Sequence, residues 1–429
     1  MQSKSVLTME KWIELETKLF DNNDHLKRMH TYARQNFVQP VPFLVSSLIK
    51  ILACVPPGTP ISAGAGNTVP NMFLALYAKP GSGKDRAMNL VEEGIRATWN
   101  GQPWEPLYYA PGSGEGIMTA FLSEGSPIDR GVIFQDSEIG FLETLMGRQG
   151  ATTRQMLMKV FSGNRLGTTN RGAVDEVPPN SYVGCLMVGV QPDKAQVLVD
   201  SQVDDGLAHR FLWTEVLDPT RPDEFDDGAQ PVELDDIVIP KDIQTKGFTF
   251  PQRAINETRA IMNEQLKYGG SEDGRGHRNL MRIRIAAGFA LLDSRTNVKV
   301  NDWERAGALL DYSDTVRAGV VQHFNNMATQ RAMEYAQWEE DRADARDVTR
   351  RKRLYRNFIN YLWGSDDSWE GDELQTLSEY RTNSVRHDQR KMFDSMIDEL
   401  AEQDVIRLSI VNGKKYPQRG INFPDSPPA

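Results

Sequence analysis

The sequence is poor in cysteine and lacks a long uninterrupted apolar segment. Its 429 residues include two cysteines, Cys54 and Cys185, both within apolar runs. Two cysteines are too few for a disulfide framework or a zinc ribbon, so we expect a protein of the reducing cytoplasm. The longest apolar run, residues 41–55, is interrupted by Lys50 and is shorter than the ~20 residues that a membrane-spanning helix requires. This run predicts a buried helix.

The first 20 residues also lack the basic start and apolar stretch of a secretory signal. The composition, with 39% apolar and 25% charged residues, is that of a folded protein, and the length predicts more than one domain. Residues 350–429 contain 13 basic and 13 acidic residues, so the net charge of −10 arises wholly in residues 1–349. This acidity argues against a protein that coats nucleic acid over its whole surface, but it allows a basic channel inside an assembly.

Patterns along the chain predict five segments. They are an N-terminal helical region (1–55), an α/β core (56–217), an acidic linker (218–250), a helical domain (251–349) and a winged-helix-like domain (350–429). Continuous apolar runs such as residues 183–190 are typical of parallel strands covered on both faces. The predicted strands are Met72–Lys79, Pro106–Pro111, Gly131–Asp136, Tyr182–Gln191 and Phe211–Leu217. We therefore expect a mainly parallel sheet flanked by helices.

A glycine-rich segment lies between the first predicted strand and a predicted helix. There, Gly81, Gly83 and Lys84 occupy the positions that a phosphate-binding P-loop requires. Glycines let backbone N–H groups surround the β-phosphate, the helix N-terminus adds positive potential, and the lysine reaches the β- and γ-phosphates. The predicted nucleotide-binding residues are Pro80, Gly81, Ser82, Gly83, Lys84, Asp85 and Arg86. The alternative is a glycine-rich turn that binds no nucleotide.

Two positions depart from the P-loop pattern G-x-x-x-x-G-K-[ST]. Ala78 replaces the first glycine, and Asp85 replaces the Ser or Thr that binds Mg²⁺. An aspartate can still hold the metal directly or through water, so Asp85 is a predicted magnesium ligand.

The third predicted strand ends in two carboxylates. A P-loop enzyme needs one acidic group to order Mg²⁺ and another to activate water. Asp136 is predicted to bind the metal and Glu138 to act as the base, because residues i and i+2 share a strand face. Carboxylates that are only exposed at a strand end are the alternative.

Two further candidates lie at the ends of strands four and five. Gln191 is predicted to sense the γ-phosphate, with a helix-start role before Pro192 as the alternative. Arg210 is predicted to complete the site of a neighbouring subunit as an arginine finger. Pairing with Asp204 or Asp205 is the alternative for Arg210.

Two regions are candidates for nucleic-acid contact. Residues 154–180 predict a basic hairpin of the kind that enters the channel of hexameric motors, where Arg165 and Arg171 would contact phosphates. Residues 350–429 predict helices followed by a hairpin that brings Lys414 and Lys415 near a DNA backbone. An ordinary exposed hairpin and a protein–protein module, respectively, are the alternatives.

Together these segments resemble a family of phage- and plasmid-encoded P-loop ATPases that is similar to hexameric replicative helicases, with a RecA/AAA+-like core. The resemblance rests, in order, on PNMFLALYAKPGSGKD, FQDSEIG, KVFSGNR, MVGVQPDKAQVLV and DGLAHRF, and it covers about residues 40–220. The last segment also looks like the arginine-finger segment of minichromosome-maintenance helicases. Family members usually have adjacent Asp-Glu where this chain has Ser137-Glu138, which questions the role of Asp136 more than that of Glu138.

The resemblance implies an ATPase that uses Mg²⁺ and assembles as a homo-oligomeric ring, such as a hexamer. It also implies a helicase that acts on single-stranded DNA with other replication proteins, in the replication of a phage or mobile element in a bacterial cytoplasm. Two alternatives stay open. One is a non-helicase ATPase such as an initiator, loader or defence switch, and the other is a nucleotide-binding structural adaptor, which Ala78 and Asp85 favour.

Overall fold

The chain forms two compact units, residues 1–326 and 327–429. The computed structural model describes residues 5–64, 66–147, 152–170, 173–199, 206–222, 230–269, 275–365 and 375–428. The strands are β1 (Phe73–Tyr77), β2 (Ala97–Trp99), β3 (Gln102–Pro103), β4 (Leu107–Tyr109), β5 (Leu122–Ser123), β6 (Ser126–Pro127), β7 (Val132–Asp136), β8 (Leu166–Asn170), β9 (Ala173–Val177), β10 (Gly184–Val190), β11 (Phe211–Glu215), β12 (Ile237–Ile239), β13 (Ile406–Val411) and β14 (Lys414–Arg419).

Helices surround these strands in both units. They are α1 (Met9–Phe20), α2 (Asp24–Gln35), α3 (Pro40–Ala53), α4 (Lys84–Gly94), α5 (Gly114–Thr119), α6 (Gly140–Met146), α7 (Thr153–Ser162), α8 (Gln196–Val199), α9 (Ile243–Lys246), α10 (Gln252–Tyr268), α11 (Arg275–Leu292), α12 (Val300–Trp363), α13 (Leu377–Ser384) and α14 (Arg390–Glu402). Helix α12 begins in the first unit and ends in the second.

The first unit contains a five-stranded, all-parallel sheet in the order β11-β1-β10-β7-β4. Each of its strands lies within a predicted strand and is one to three residues shorter than predicted, so the predicted α/β core is confirmed. Strand β10 is buried along its whole length, which explains its continuous apolar run.

The strand order produces a switch point at one edge of the sheet. The carboxyl ends of all five strands meet at that edge because the strands are parallel. The chain leaves β1 towards β4 on one side and later reaches β11 on the other side of β1. Open α/β sheets bind ligands at such a switch point, outside the carboxyl ends of the strands. The loop after β1 therefore occupies the expected position for a ligand site.

Helix α3 is the centre of the hydrophobic core of the first unit. All of its residues are buried, and it contacts β1, β10, α2, α4 and α11. Its one charged residue, Lys50, donates a 2.6 Å hydrogen bond to the Ile95 carbonyl and lies 2.9 Å from the Glu105 carboxylate. The predicted buried helix is thus confirmed. The N-terminal helices and the first part of α12 belong to the same core as the sheet.

Within the described ranges, no single helix is both long and apolar enough to cross a membrane. The bent pair α2 and α3, which meet at 118°, reaches the necessary length and hydropathy only when the two helices are taken together.

The second unit consists of the end of α12, α13, α14 and the antiparallel pair β13–β14. Its separate core includes Phe358, Tyr380 and Phe393. The predicted hairpin is confirmed, and its turn lies at Asn412 and Gly413, which have φ values of 50° and 79°. Left-handed residues at both turn positions match the twist of a two-residue hairpin.

Candidate functional site

The loop between β1 and α4 has the backbone shape that its glycines predict. Gly81 and Gly83 have φ values of 74° and 86°, in the left-handed region that glycine adopts without strain. Apart from the adjacent residues in the chain, no atom of the described residues lies within 4 Å of a Cβ built on either glycine, so this face of the loop is open. Gly83 is the N-cap of α4 and has no side chain with which to cap it. The N–H groups of the first helical turn are therefore available to an anion.

Lys84 is held across this loop. Its side chain is buried, and Nζ donates hydrogen bonds of 3.1 Å to the carbonyl oxygens of both Ala78 and Lys79. Burial lowers the pKa of Lys84, whereas the carboxylates of Asp85 and Glu138 act in the opposite direction. The ammonium group therefore lies within the electrostatic reach of Glu138, although 54 residues separate them in the sequence.

Gly189 allows the loop after β7 to approach Lys84 over the end of β10. A Cβ on Gly189 would lie 2.0 Å from the Ser137 carbonyl oxygen and 3.0 Å from Lys84 Cε. The Ile139 N–H also donates a 2.9 Å hydrogen bond to the Gly189 carbonyl. Gly189 is not among the site residues predicted from the sequence; a glycine interrupting the apolar run of a buried strand was the available signal.

Asp136, Glu138 and Gln191 come together beside this crossing. Gln191 Nε2 donates a 3.0 Å hydrogen bond to Glu138 Oε1, and the Glu138 N–H donates one of 3.0 Å to Asp136 Oδ1. Burial raises the pKa of Asp136, the Glu138 N–H opposes this shift, and the Glu138 charge adds to it. One stated reason for the grouping was wrong, because β7 ends at Asp136 and strand alternation does not extend to Glu138. An Asp-centred turn brings the two residues together instead.

The carboxylates of this edge suit Mg²⁺ that is bound mainly through phosphate oxygens. Asp85 is exposed in the first turn of α4, and Asp136 is half-buried at the end of β7. Among the described residues there is no group of three or more His, Cys, Asp or Glu side chains that could hold a metal. Magnesium is commonly held by one or two carboxylates together with substrate phosphates and water.

The other predicted residues of the loop face solvent to different degrees. Pro80 is exposed and Ser82 is half-buried. Arg86 is exposed and donates hydrogen bonds to Glu93 Oε1 at 3.2 Å and to Asn36 Oδ1 at 3.4 Å. Arg86 therefore connects the first turn of α4 to the end of α2.

Arg210 lies at the opposite edge of the sheet. It precedes β11, whose Phe211 pairs with Phe73 at the amino end of β1. A strand of this length spans roughly 16 Å at ~3.3 Å per residue. The Arg210 guanidinium lies 5.9 Å from the Phe161 ring centroid. The fold of one chain thus does not bring Arg210 to Lys84.

The alternative partners of Arg210, Asp204 and Asp205, lie outside the described residues. On the same side of the molecule, the pKa of His277 is lowered to about 4 by burial and by the charges of Arg210, His209 and Arg284.

The two candidate nucleic-acid regions are hairpins in different units. Strands β8 and β9 form the predicted antiparallel hairpin, where exposed Arg165 pairs with Glu176. Arg171 lies outside the described residues. In the second unit, Lys414 and Lys415 are exposed at the start of β14.

A comparison with protein-family models gives no match, and a search of curated proteins gives none either. The resemblance to phage and plasmid ATPases therefore stays a prediction. The geometry of the loop and its neighbours is what supports a function.

Proposed function

We propose that this chain is a P-loop ATPase, and that it works as a ring-forming DNA helicase in the replication of a phage or mobile element. One observation carries the ATPase proposal. The left-handed glycine loop, Lys84 and the Glu138–Gln191 pair lie together at the carboxyl edge, beside the switch point of a parallel sheet. A nucleotide-binding site needs this combination of an anion-binding backbone, a cation and a carboxylate.

Binding of the triphosphate uses the backbone first. The N–H groups of Gly81 to Lys84 surround the β-phosphate, and the uncapped start of α4 adds positive potential. Lys84 then exchanges its two carbonyl partners, Ala78 and Lys79, for phosphate oxygens. An ammonium–phosphate contact is stronger than either carbonyl contact, because both partners are charged.

Hydrolysis requires an oriented water molecule and a proton acceptor. Glu138 accepts a proton from water while the water oxygen attacks the γ-phosphorus and the bond to the β,γ-bridging oxygen breaks, releasing ADP and phosphate. Gln191 fixes the Glu138 carboxylate through its amide. Asp85 and Asp136 would hold Mg²⁺, which neutralises charge on the phosphates when bound.

The position of Arg210 supports an assembly of several copies. A side chain at the amino edge of the sheet cannot reach Lys84 of its own chain, so an arginine finger here must act on a neighbouring copy. In a closed ring, each subunit supplies its Arg210 to the site of the next subunit, so every site is completed in the same way. The resemblance implies a hexamer.

Single-stranded DNA would contact Arg165, which precedes β8, and Arg171, which follows β8 in the sequence. Lys414 and Lys415 of the winged-helix-like unit would add backbone contacts. We propose the bacterial cytoplasm as the compartment and other replication proteins as partners.

The test is ATP hydrolysis with and without single-stranded DNA, with particle shape followed by electron microscopy. Lys84→Ala should abolish nucleotide binding. Glu138→Gln should keep binding and slow hydrolysis by about a hundredfold or more, the usual effect of a general base. Lys79→Ala, at an exposed lysine of the same loop, is the matched control and should retain activity. Unchanged nucleotide affinity in Lys84→Ala would exclude the site.

A nucleotide-binding adaptor is the second candidate, and Asp85 is the observation that favours it. An exposed carboxylate replaces the neutral hydroxyl at this position and repels a triphosphate in the absence of metal. An adaptor would bind ATP–Mg²⁺ with no turnover in the unsubstituted protein. A non-helicase ATPase would hydrolyse ATP without unwinding a duplex, so an unwinding assay separates it from the helicase.

A further inference from the structure

The middle of helix α12 is exposed on all sides over a long stretch. Every side chain from residue 328 to residue 350 is exposed, and at ~1.5 Å per residue this stretch is roughly 35 Å long. Helices in folded proteins gain most of their stability by packing one face against other elements. A face of this stretch is therefore available to a partner.

One face of the stretch has large aromatic side chains. Tyr335 and Trp338 are 60% and 52% exposed, and their ring centroids lie 5.9 Å apart. The Arg342 Cζ atom lies 5.0 Å from the centroid of the Trp338 ring. At ~100° per residue, these three residues and Arg331 lie within an arc of about 60° on the helix surface, here called the aromatic stripe. Trp, Tyr and Arg are the residues that contribute most to binding at protein–protein interfaces.

Acidic side chains lie next to the aromatic stripe, along one side of it. Glu334 accepts a 3.3 Å hydrogen bond from Gln330, and Asp341 accepts one of 3.2 Å from Gln337. Both donors are neutral amides, so these two contacts leave the carboxylate charges uncompensated. The helix thus presents positive charge on the stripe and negative charge beside it.

Two copies of this stretch are complementary when they run antiparallel about Trp338. Glu334 is four residues before Trp338, and Arg342 is four residues after it. A two-fold axis at Trp338 therefore places Glu334 of each copy opposite Arg342 of the other copy. In a parallel pair, each of these residues would lie opposite its own equivalent, and the like charges would repel each other.

We propose that residues 328–350 bind the same stretch of a second copy of this chain, as an antiparallel helix pair with Trp338 at its centre. Such a contact is isologous and closes with two copies, unlike the head-to-tail contact that an arginine finger requires. It does not depend on the proposed nucleotide site. The stretch has four arginines and six acidic residues, and this negative balance favours a second copy over nucleic acid as the partner.

Disulfide trapping in the full chain tests the direction of the pair. Arg331 and Ala345 are each seven residues from Trp338, in opposite directions. A mixture of Arg331→Cys and Ala345→Cys should therefore form a covalent dimer on mild oxidation. Ala345→Cys alone should not, because its two copies would lie roughly 21 Å apart along the helices. The native Cys54 and Cys185 are buried, so they should not compete.

Sedimentation velocity without nucleotide tests the contribution of the tryptophan. Trp338→Ala should weaken association about thirtyfold, as expected for a central aromatic residue of an interface. Met333→Ala is the matched control and should associate like wild type. Met333 is 67% exposed in the same stretch, and five residues from Trp338 place it about 140° away around the helix.

Reversed charges test the pairing of Glu334 with Arg342. Glu334→Arg and Arg342→Glu should each associate more weakly than wild type, because each variant places like charges opposite one another. An equimolar mixture of the two variants should regain wild-type association, since only the mixed pair then has opposite charges at both contacts. A general effect of either substitution on the helix would not be reversed by mixing.

Several results would overturn the helix pair. They are a wild-type chain that stays monomeric, equal association in wild type and Trp338→Ala, and a covalent dimer of Ala345→Cys alone. Weaker binding of a single-stranded oligonucleotide by Trp338→Ala, with unchanged association, would make the stripe a nucleic-acid surface instead. Lys84→Ala should associate like wild type, so a failure of the nucleotide site leaves the helix pair intact.

Discussion

The amide of Gln191 donates a hydrogen bond of 3.0 Å to the carboxylate of Glu138, and this bond joins the ends of two adjacent strands of the sheet. Glu138 is thus held on one side by Gln191 and attached through its N–H to Asp136 on the other. A γ-phosphate that attracts the Gln191 amide would alter the position of the general base. If the site binds ATP as proposed, this hydrogen bond would connect the state of the nucleotide to the proposed general base, Glu138.

Gln191→Ala should slow ATP hydrolysis by up to about a hundredfold, because the base loses the group that orients it. Nucleotide affinity should change little, since Gln191 contacts the base rather than the loop. Steady-state kinetics and equilibrium titration measure the two effects separately. Gln135→Ala, which removes a 3.1 Å hydrogen bond from Gln135 on β7 to Glu92 on α4, is the matched control and should keep full activity. An activity loss that is equal in both variants would show only a general effect on the sheet.

Gly189→Ala should disturb the site by displacing the backbone at Ser137. The new methyl group would lie 2.0 Å from the Ser137 carbonyl oxygen, which the main chain cannot accommodate without moving. We expect the free energy of unfolding to fall by about 1–3 kcal/mol. The rate of ATP hydrolysis should also fall.

Denaturant unfolding and ATPase measurements test this effect. Gly112→Ala is the control, because its added Cβ would make only ordinary contacts, the nearest at 3.7 Å. Full stability in Gly189→Ala would contradict the close approach.

The sheet and the loop were predictable from the sequence because their signals are local. A buried parallel strand is a continuous apolar run, and the turn after β1 carries Gly81, Gly83 and Lys84 within four positions. The Gln191–Glu138 contact was not predictable, since it depends on β7 and β10 being neighbours. Strand order is fixed by the packing of the whole unit rather than by either segment.

The contact between Phe37 and Arg221 could likewise not be predicted from the sequence. Residues 1–55 predict helices, and the structure confirms helices there. The contact of Phe37 with Arg221 joins positions far apart in the chain, one of them in the predicted acidic linker. The spacing of apolar residues predicts which side chains are buried. It does not predict which distant segment will pack against the ring of an exposed residue such as Phe37.

Acidification should destabilise the first unit through His277. Burial and nearby arginines lower its pKa from the ordinary 6.5 to about 4, so the unfolded chain takes up the proton first as the pH falls. The stability that depends on a neutral His277 is fully present above pH 6.5 and is lost as the pH falls towards 4, by up to roughly 2 kcal/mol after allowance for solvent screening of this half-buried side chain. Unfolding measured between pH 7 and 4 should show a shallower dependence in His277→Gln. His323→Gln, at an exposed histidine of the same unit, should follow wild type.

Arg210→Ala should remove hydrolysis while each subunit still binds nucleotide. The reason is position: Arg210 precedes β11 at the amino edge of the sheet, and the Lys84 loop follows β1 at the carboxyl edge. An arginine finger in trans typically contributes about 10³-fold or more to turnover.

Mixing two inactive variants tests the role of Arg210 in trans. A Lys84→Ala subunit still offers its arginine, and an Arg210→Ala subunit still offers its loop. Mixed assemblies of the two should therefore regain a measurable fraction of the ATPase activity, whereas each variant alone stays inactive. Arg210→Ala with wild-type turnover, or mixtures that stay inactive despite co-assembly, would exclude the role of Arg210 in trans and leave it a structural residue beside Phe161.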